Sequence, residues 1–566
     1  MMSTAALRKT LGSLSVLSWL RDYKAAWIGR DAIAGLTLAA YAIPVSLAYA
    51  NLAGLPPQVG IYGYLLGGLG YALLGSSRHL AVGPTSAISL MIAASVGMMA
   101  AGDAQRYAEI AALTAFVVAG LSLLAWSLRL SMLVLLISDS VLVGFKIGAG
   151  LTIAMTQLPS LMGVAGGGHN FVERLVALAG QLDDIRIAVL AIGLMALMLL
   201  MLGERILPGR PIALGIVALA ILTATQLDLA ASGVPVTGLI PSGLPALSGP
   251  ALRPSDIEGI VPLAAGCLLL AYVEGISAAR TFAAKHGYEI DPRQEFLGLG
   301  AANLAAALGQ GYPVAGGLSQ SAVNDKAGAR SQAALLFASV ALGICLFFLT
   351  GLLENLPKTV LAAIVLTAIL GLFDFGKLAH MWRVSSLDFY AALIALVAVL
   401  LFGILQGIML AAFCSILLLL FRVSRPHVAF LGRIPGTRSY SDMARHPENE
   451  ELAGVIAFRP EASLIYVNAD AVYTAVCERL KALDPSNIRL VICDLSASPF
   501  IDLAGSQMLH RLEACLRPND VPLRIVGAHG YVRDFLRSDG LSGKVAGIGR
   551  QLTLARLLDD FESERR

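Results

Sequence analysis

Between roughly residue 31 and residue 425 the chain is built from stretches almost free of charge, and these limit what it can fold into more than any other feature. Ile187–Leu202, Leu361–Leu372 and Ala391–Leu420 are examples. A run of about 20 apolar residues crosses the hydrocarbon core of a bilayer as an α-helix, the form in which a single segment pairs all its own backbone N–H and C=O groups. With 57% hydrophobic and 14% charged residues over 566 positions, the chain lies outside the range of soluble globular proteins. The bilayer is its main solvent.

Apolar runs bounded by Gly, Pro and charge predict helices near 31–50, 58–75, 84–100, 108–127, 131–158, 184–203 and 210–228. A second set is predicted near 259–283, 294–309, 315–327, 331–352, 358–374, 386–402 and 405–422, about fourteen membrane segments in all by the length rule. Arg78, Arg129, Arg205, Arg210, Arg280, Lys285, Arg293, Lys326, Arg330, Lys377, Arg383, Arg422 and Arg425 fall on one side of this pattern, whereas Asn51–Gln58 and Ser232–Ser248 carry no basic residue. Cytoplasmic loops collect Lys and Arg. The bias therefore predicts a multi-pass protein of the cell's inner membrane with both termini cytoplasmic. Arg106, Arg174, Arg186, Arg253 and Lys358 run against it. Residues 1–30 hold several basic residues and no small-residue cleavage site, and are read as a retained cytoplasmic tail.

Several function classes drop out. A net charge of +3 without basic runs interleaved with aromatics speaks against nucleic acid. The six cysteines show no CxxC pair or metal-type spacing, so neither a metal nor a cofactor is expected. No Walker loop, HExxH or GxSxG occurs, which disfavours an enzyme and ATP-driven transport.

The third segment of each half is short and opens on helix breakers, Gly83-Pro84 in the first and Pro313 with Gly316-Gly317 in the second. Interrupted segments at matching positions of two halves point to an inverted-repeat transporter with its site where the half-helices meet; ordinary loop glycines are the alternative. The openings Thr85-Ser86 and Leu318-Ser319-Gln320 place unpaired backbone N–H groups beside side-chain donors. A helix N-terminus carries about half a positive charge, so two of them together suit a small anion. Tyr49 is a candidate for the same cavity or an interfacial aromatic. Glu274, flanked by apolar residues, is a candidate proton-coupling group or a structural carboxylate. Asp139 and Lys146, seven residues apart on one helix face, are candidates for an electrostatic role or for a structural ion pair.

After Arg425 the composition turns polar, and strand-like runs at Leu464–Val467, Arg489–Cys493 and Pro522–Val526 alternate with helices at Ala471–Leu483, Leu503–Leu516 and Thr553–Glu562. This pattern predicts a small α/β domain over 436–566, following a membrane domain over 31–425.

Two long motifs carry a family likeness. Ala50-Asn-Leu-Ala-Gly-Leu-Pro-Pro57, Gly60-Ile-Tyr62 and Ser77-Arg-His-Leu-Ala-Val-Gly-Pro84 form one; Lys285-His-Gly-Tyr288, Gln294-Glu295, Gly300, Asn303 and Gly317-Leu-Ser-Gln-Ser-Ala-Val-Asn324 form the other. They closely resemble the sulfate permease (SulP) family of anion transporters, and the C-terminal part resembles the STAS domain such permeases carry. The resemblance implies a polytopic α-helical fold of seven plus seven inverted segments with core and gate domains, followed by a cytoplasmic α/β STAS domain, and commonly a homodimer. It implies an anion site at Tyr49, Thr85, Leu318, Ser319 and Gln320 with Glu274 at the acidic coupling position. Many relatives carry Arg where this chain has Gln320 and a polar Gln where it has Val45, and Ala278 lacks the hydroxyl that sodium-coupled bicarbonate relatives use, which favours proton coupling. Asp494-Leu-Ser and Phe500-Ile-Asp502 match the STAS pattern, but Leu503-Ala504-Gly505 lacks the phosphorylatable serine of soluble relatives.

The expectation is a secondary active sulfate:proton symporter. The alternatives are a C4-dicarboxylate or bicarbonate carrier on the same scaffold, a passive anion channel, or a membrane-anchored STAS module that acts on a cytoplasmic protein partner. Partners expected are the anion, protons, membrane lipid and a second copy of the chain.

Overall fold

The computed structural model describes residues 19–20, 23–130, 138–168, 170–207, 211–251, 253, 256–483, 487–545, 548–550 and 552–563. Most of the N-terminal tail and the start of the segment predicted near 131 lie outside these. The chain divides into two compact units between Ser415 and Ile416.

In the first unit the elements run α1 Ile28–Leu52, α2 Pro57–Leu74, β1 Val82–Gly83, α3 Ser86–Ala100, α4 Ala104–Ser127, α5 Asp139–Met162, α6 Phe171–Ala179, α7 Ile187–Ile206 and α8 Ile212–Gln226. Then follow α9 Ile257–His286, α10 Pro292–Leu308, β2 Ala315–Gly316, α11 Leu318–Lys326, α12 Ala333–Phe348, α13 Thr350–Leu353, α14 Lys358–Ile369, α15 Phe375–Val384, α16 Ser386–Phe402 and α17 Ile404–Ser424, the last running into the second unit. Local chemistry sets several of the ends. Asp103 accepts from the Gln105 and Arg106 amides at the start of α4, and Asp291 does the same for α10, where Pro292 fills the first helical position. Glycines in the left-handed region close α5 (Gly163) and α9 (Gly287).

Among the described residues, seven helices are long and apolar enough to cross a membrane, and four more apolar helices are 10–17 residues long. Without the short connectors α6, α13 and α15, the order splits into seven segments before residue 230 and seven after residue 256. The packing shows the repeat. α12 lies on α1 as α4 lies on α9, α4 on α10 as α12 on α2, and α5 on α16 as α14 on α7. Each pairing maps onto its mate when the halves exchange. The result is a core of α1–α4 with α9–α12, and a gate of α5, α7, α8, α14, α16 and α17. The core meets the gate through α1 against α8 and α14, and through α3 against α5.

Three details differ from expectation. The segment predicted over 331–352 breaks into α12 and α13, and the one over 358–374 leaves regular helix at Ile369. α6 and α15 were missed because Glu173, Arg174, Lys377 and Arg383 interrupt their apolar runs. Arg106, which breaks the charge bias, is buried against Asp256 and Glu109, and Arg186 donates to the Gly233 carbonyl at 2.9 Å, so these cations are locally satisfied.

The second unit holds a five-stranded sheet in the order β4-β3-β5-β6-β7, with β3 Val428–Arg433, β4 Tyr440–Asp442, β5 Val455–Pro460, β6 Leu490–Asp494 and β7 Leu523–Val526. β5, β6 and β7 are parallel; β3 runs antiparallel to β4 and β5. Helices α18 Ala469–Lys481, α19 Leu503–Leu516, α20 Gly530–Ser538 and α21 Leu554–Ser563 complete it. Every residue of β6 is buried. Val491 and Cys493 face a cluster with Val472, Leu509 and Val532, while Leu490 and Ile492 face Leu554 and Leu558 of α21. A strand covered on both faces reads as a continuous apolar run, which is why β6 was legible in the sequence. The strand expected at Leu464–Val467 is a correction: only Leu464 makes a bridge, to Ile501, and the strand lies earlier, at β5. The sheet also begins at Val428, before the boundary at 436 drawn from composition.

On α5, a Cβ at Gly144 would overlap the Ala392 carbonyl of α16. Gly144→Val is therefore expected to lower the melting temperature of the detergent-purified protein by several degrees, the overpacking cost of a tight helix crossing being about 1–3 kcal/mol. Gly120→Val, on α4 where nothing lies within 4 Å, should leave it unchanged.

Candidate anion-binding site

β1 and β2 pair antiparallel, with Val82 opposite Gly316 and Gly83 opposite Ala315. This two-residue ladder is fully buried and joins the two halves at the point where each interrupted helix begins. Close approach demands small residues: a Cβ at Gly83 would overlap the Tyr64 ring, and one at Gly316 would meet the Leu80 side chain at 2.7 Å.

Past the ladder the chain turns into α3 at Thr85 and into α11 at Gly317. Both capping residues have extended backbone, and neither supplies a side-chain cap. The first-turn N–H groups of both helices therefore have no acceptor within their own helix, and the positive ends of both dipoles meet at one place. That place is a cavity of about 130 Å³. Tyr41, Val45 and Tyr49 line it at four-residue spacing along α1, Glu274, Ser277 and Ala278 along α9, and Thr85, Ser86 and Gly317 to Gln320 at the half-helices. Lys146 of α5 and Ala368, Gly371 and Leu372 close it from the gate side.

Within the cavity, the Thr85 hydroxyl is buried without any hydrogen-bond partner. An orphaned buried hydroxyl costs about 1–3 kcal/mol unless a ligand satisfies it. The Tyr49 hydroxyl lies beside Ser86. Leu318 and Ser319 are exposed, whereas Gln320 is buried and folds back so that Nε2 donates to the Ala315 carbonyl at 3.2 Å. Gln320 thus spends a donor on its own strand.

A second ring of hydrogen bonds holds this geometry. The Ser321 hydroxyl accepts from the Ala81 amide at 2.9 Å and donates to the Gly317 carbonyl at 2.7 Å. Asn303 brackets Val314 at its amide and carbonyl, both at 3.0 Å, and the Tyr312 hydroxyl meets Ser89 at 2.9 Å. The expected residues Tyr49, Thr85, Ser86, Leu318, Ser319, Gln320, Glu274 and Lys146 all line the one cavity. Asp139 does not: it is the exposed first residue of α5, two turns from Lys146. Tyr41 and Ser277 were missed, although Tyr41 stands two helical turns from Tyr49 and Ser277 one turn from Glu274, on the same faces.

Two other places gather polar or titratable side chains. His79, His286 and Asp325 bring ligand-type atoms within 4.8 Å of one another. Their donors are already spent. His79 Nε2 lies 3.1 Å from the Ala329 carbonyl and so carries its hydrogen, leaving Nδ1 to accept from the Tyr288 hydroxyl, while Asp325 binds both Lys285 and His286 at 2.5 Å. Burial and the stacked His286 ring push the His79 imidazole down to about 4, so it is neutral near pH 7. The group is a clasp between the loop before β1 and the end of α11. A larger cavity of about 530 Å³ is lined by Asn51, Asp103, Tyr107 and Lys358, but Asp103 caps α4 and the Tyr107 hydroxyl donates to the Ala53 carbonyl at 2.6 Å.

A core and a gate related by an inverted repeat, enclosing opposed half-helix N-termini, are the architecture of a membrane transporter with its site at the repeat interface. Comparison with known proteins agrees. The sulfate permease family profile matches residues 28–395, and the STAS domain profile matches 446–555. A probable sulfate transporter of Mycobacterium tuberculosis is 34% identical over 549 residues, covering 96% of both chains. Sulfate transporter 4.1, chloroplastic, of Arabidopsis thaliana is 29% identical, covering 96% of this chain and 81% of its own. Among solved structures, the murine Solute Carrier 26 family member A9 anion transporter in its inward-facing state superposes with a TM-score of 0.87 at 24% identity, over 96% of this chain and 92% of that one. The transmembrane domain of the cyanobacterial bicarbonate transporter BicA does so with 0.60 at 21% identity, over 70% of this chain and 98% of that one. The chain belongs to the sulfate permease family, a family of transporters and not of enzymes, and it is a multi-pass membrane anion transporter with a C-terminal STAS domain.

Removing the orphaned hydroxyl isolates its role. Thr85→Val is expected to cut anion uptake into proteoliposomes by about tenfold or more, the worth of one hydrogen bond to a charged group, with an anion-free melting temperature equal to or above that of wild type; Thr85→Ser should retain most of the flux.

Proposed function

We propose that the protein is a proton-coupled sulfate symporter of the inner membrane, with both termini cytoplasmic. The observation that carries this reading is the pairing, in one cavity, of two opposed helix N-termini bearing the Thr85 hydroxyl, which has no partner among the described residues, with the acid Glu274. Two N-termini offer donors and about one full positive charge between them, which replaces part of an anion's hydration shell without a fixed cation at the centre. They leave a divalent anion incompletely neutralised. A proton on Glu274 removes a negative charge from the same cavity, so proton and anion favour each other's binding.

In this scheme the anion binds between α3 and α11 while Glu274 is protonated, and the core then shifts against the gate to expose both on the other side. Sulfate is the favoured anion because the Mycobacterium tuberculosis and Arabidopsis thaliana relatives bear the names probable sulfate transporter and sulfate transporter 4.1. Tyr49, Ser86 and Ser319 supply further contacts. A homodimer, and a STAS domain that meets a cytoplasmic protein partner without phosphoserine chemistry within Leu503-Ala504-Gly505, belong to the same proposal.

Uptake of labelled sulfate into proteoliposomes, with and without an inward proton gradient, tests it. Concentrative uptake that rises as the outer pH falls is expected, and Glu274→Gln should abolish the stimulation by the gradient. If unlabelled bicarbonate or succinate proves the transported species while sulfate does not enter, the substrate assignment fails; wild-type pH dependence in Glu274→Gln sinks the coupling scheme.

A further inference from the structure

We infer that Lys146, on the gate helix α5, is a specificity-determining residue that reads anion valence, favouring a doubly over a singly charged anion in the site between α3 and α11. This deepens the reading above and rests on it.

Among the described residues, Lys146 and Glu274 are the only basic and the only acidic side chains lining the cavity. No hydrogen bond or ion pair engages Lys146 among the described residues, in contrast to Arg106 with Asp256 and Lys285 with Asp325. The charged groups that act on it are Glu274, facing it from α9 of the core, and Asp374, in the turn after α14, whose carboxylate is already paired with Lys377 at 3.2 Å. Tyr41 and Tyr49 share its cavity from α1. An unpaired ammonium at membrane depth is costly and marks a charge that some other species completes.

Its direction is built into the helix. A Cβ at Gly144 would overlap the Ala392 carbonyl, and one at Gly148 would meet the Leu396 carbonyl at 2.9 Å, so both glycines face α16. Two residues along an α-helix is a turn of about 200°. Lys146, midway between them, therefore lies on the face opposite α16.

The electrostatics then discriminate by valence. At equal distance, the attraction of one ammonium for an anion scales with the anion's charge, so sulfate gains twice what a singly charged tetrahedral anion gains. The N-termini of α3 and α11 contribute fixed partial charges from the core. Lys146 contributes the whole unit from the gate. Because the two sets of charges belong to different domains, the full complement exists only while the core is apposed to α5. In this chain Gln320 is uncharged and folded back onto Ala315, so a cation from the gate supplies what α11 lacks.

The test uses the full-length protein in proteoliposomes, with labelled sulfate as substrate and perchlorate, tetrahedral and singly charged, as competitor. Lys146→Met is expected to raise the KM for sulfate roughly tenfold while changing perchlorate inhibition no more than about threefold, and Lys146→Arg to retain most of the wild-type affinity. Equal losses for the two anions, or a Lys146→Arg protein as impaired as Lys146→Met, overturn the valence reading. Sulfate-induced shifts in melting temperature, measured on the same proteins, serve as a second readout should Lys146→Met reconstitute poorly; a sulfate shift as large as that of wild type overturns the inference. The wild-type arm separates the two proposals. Absence of wild-type sulfate flux sinks the substrate assignment, whereas a wild-type flux that Lys146→Met leaves intact sinks the role of Lys146 alone.

Discussion

Two helices begin in the interior of a membrane domain with their first amides unclaimed, and much of the first unit is arranged around holding those two ends against each other. Backbone polar groups at membrane depth normally find partners within their own segment, and broken helices are tolerated only where they line a cavity or are buried in protein. Here the break is enclosed by the β1–β2 ladder, four buried backbone positions pairing Val82 with Gly316 and Gly83 with Ala315. Asn303, Ser321 and Tyr312 satisfy carbonyls, amides and hydroxyls around it, while among the described residues the Thr85 hydroxyl at the cavity, the Tyr64 hydroxyl and Asn324 Oδ1 stay unpaired.

The same constraint explains where the glycines sit. Gly83 and Gly316 are small because the ladder is crowded by Tyr64 and Leu80, and Gly317 is small because the Gln320 amide lies 2.8 Å from where its Cβ would be. Farther out, Asp31 accepts from the Arg330 and Ser331 amides and the Ser331 hydroxyl, and Glu295 accepts from Tyr71, Ser76 and Ser77. Each of these carboxylates ties one half of the repeat to the other through loops next to the half-helices. Core rigidity and site geometry are in this sense one property, because the hydrogen bonds that join the halves also aim the N-termini.

The gate is built by different means. Its helices meet through glycine-mediated contacts, Gly144 and Gly148 against α16 and Gly193 of α7 against Leu161 and Thr359, and its cross-links to the core are sparse. Tightly packed helix pairs with a thin interface between them are what rigid-body movement of one domain against the other requires. Lys146 stands on the gate side of that interface and Glu274 on the core side, which makes the cavity's charge balance depend on how the domains are apposed.

Composition and pattern by themselves settled the membrane class, the number of segments, the interrupted third segment of each half and the existence of an α/β domain after it. These follow from local properties, namely run length, helix breakers and the buried character of strands such as β6. The two half-helix openings were legible because Gly83-Pro84 and Gly316-Gly317 break helices wherever they occur. What the sequence left open is everything that depends on residues far apart in the chain. Asp139 and Lys146 share a helix face in sequence, yet only the fold separates an exposed helix start from a cavity wall. Likewise Gln320 reads as a free donor until its folding back onto Ala315 is seen, and Leu464–Val467 reads as a strand until β5 is found occupying that place in the sheet. Pairing across 200 residues and more is a matter of tertiary packing, and no local propensity encodes which buried polar group finds a partner and which, like the Thr85 hydroxyl, finds none among the described residues.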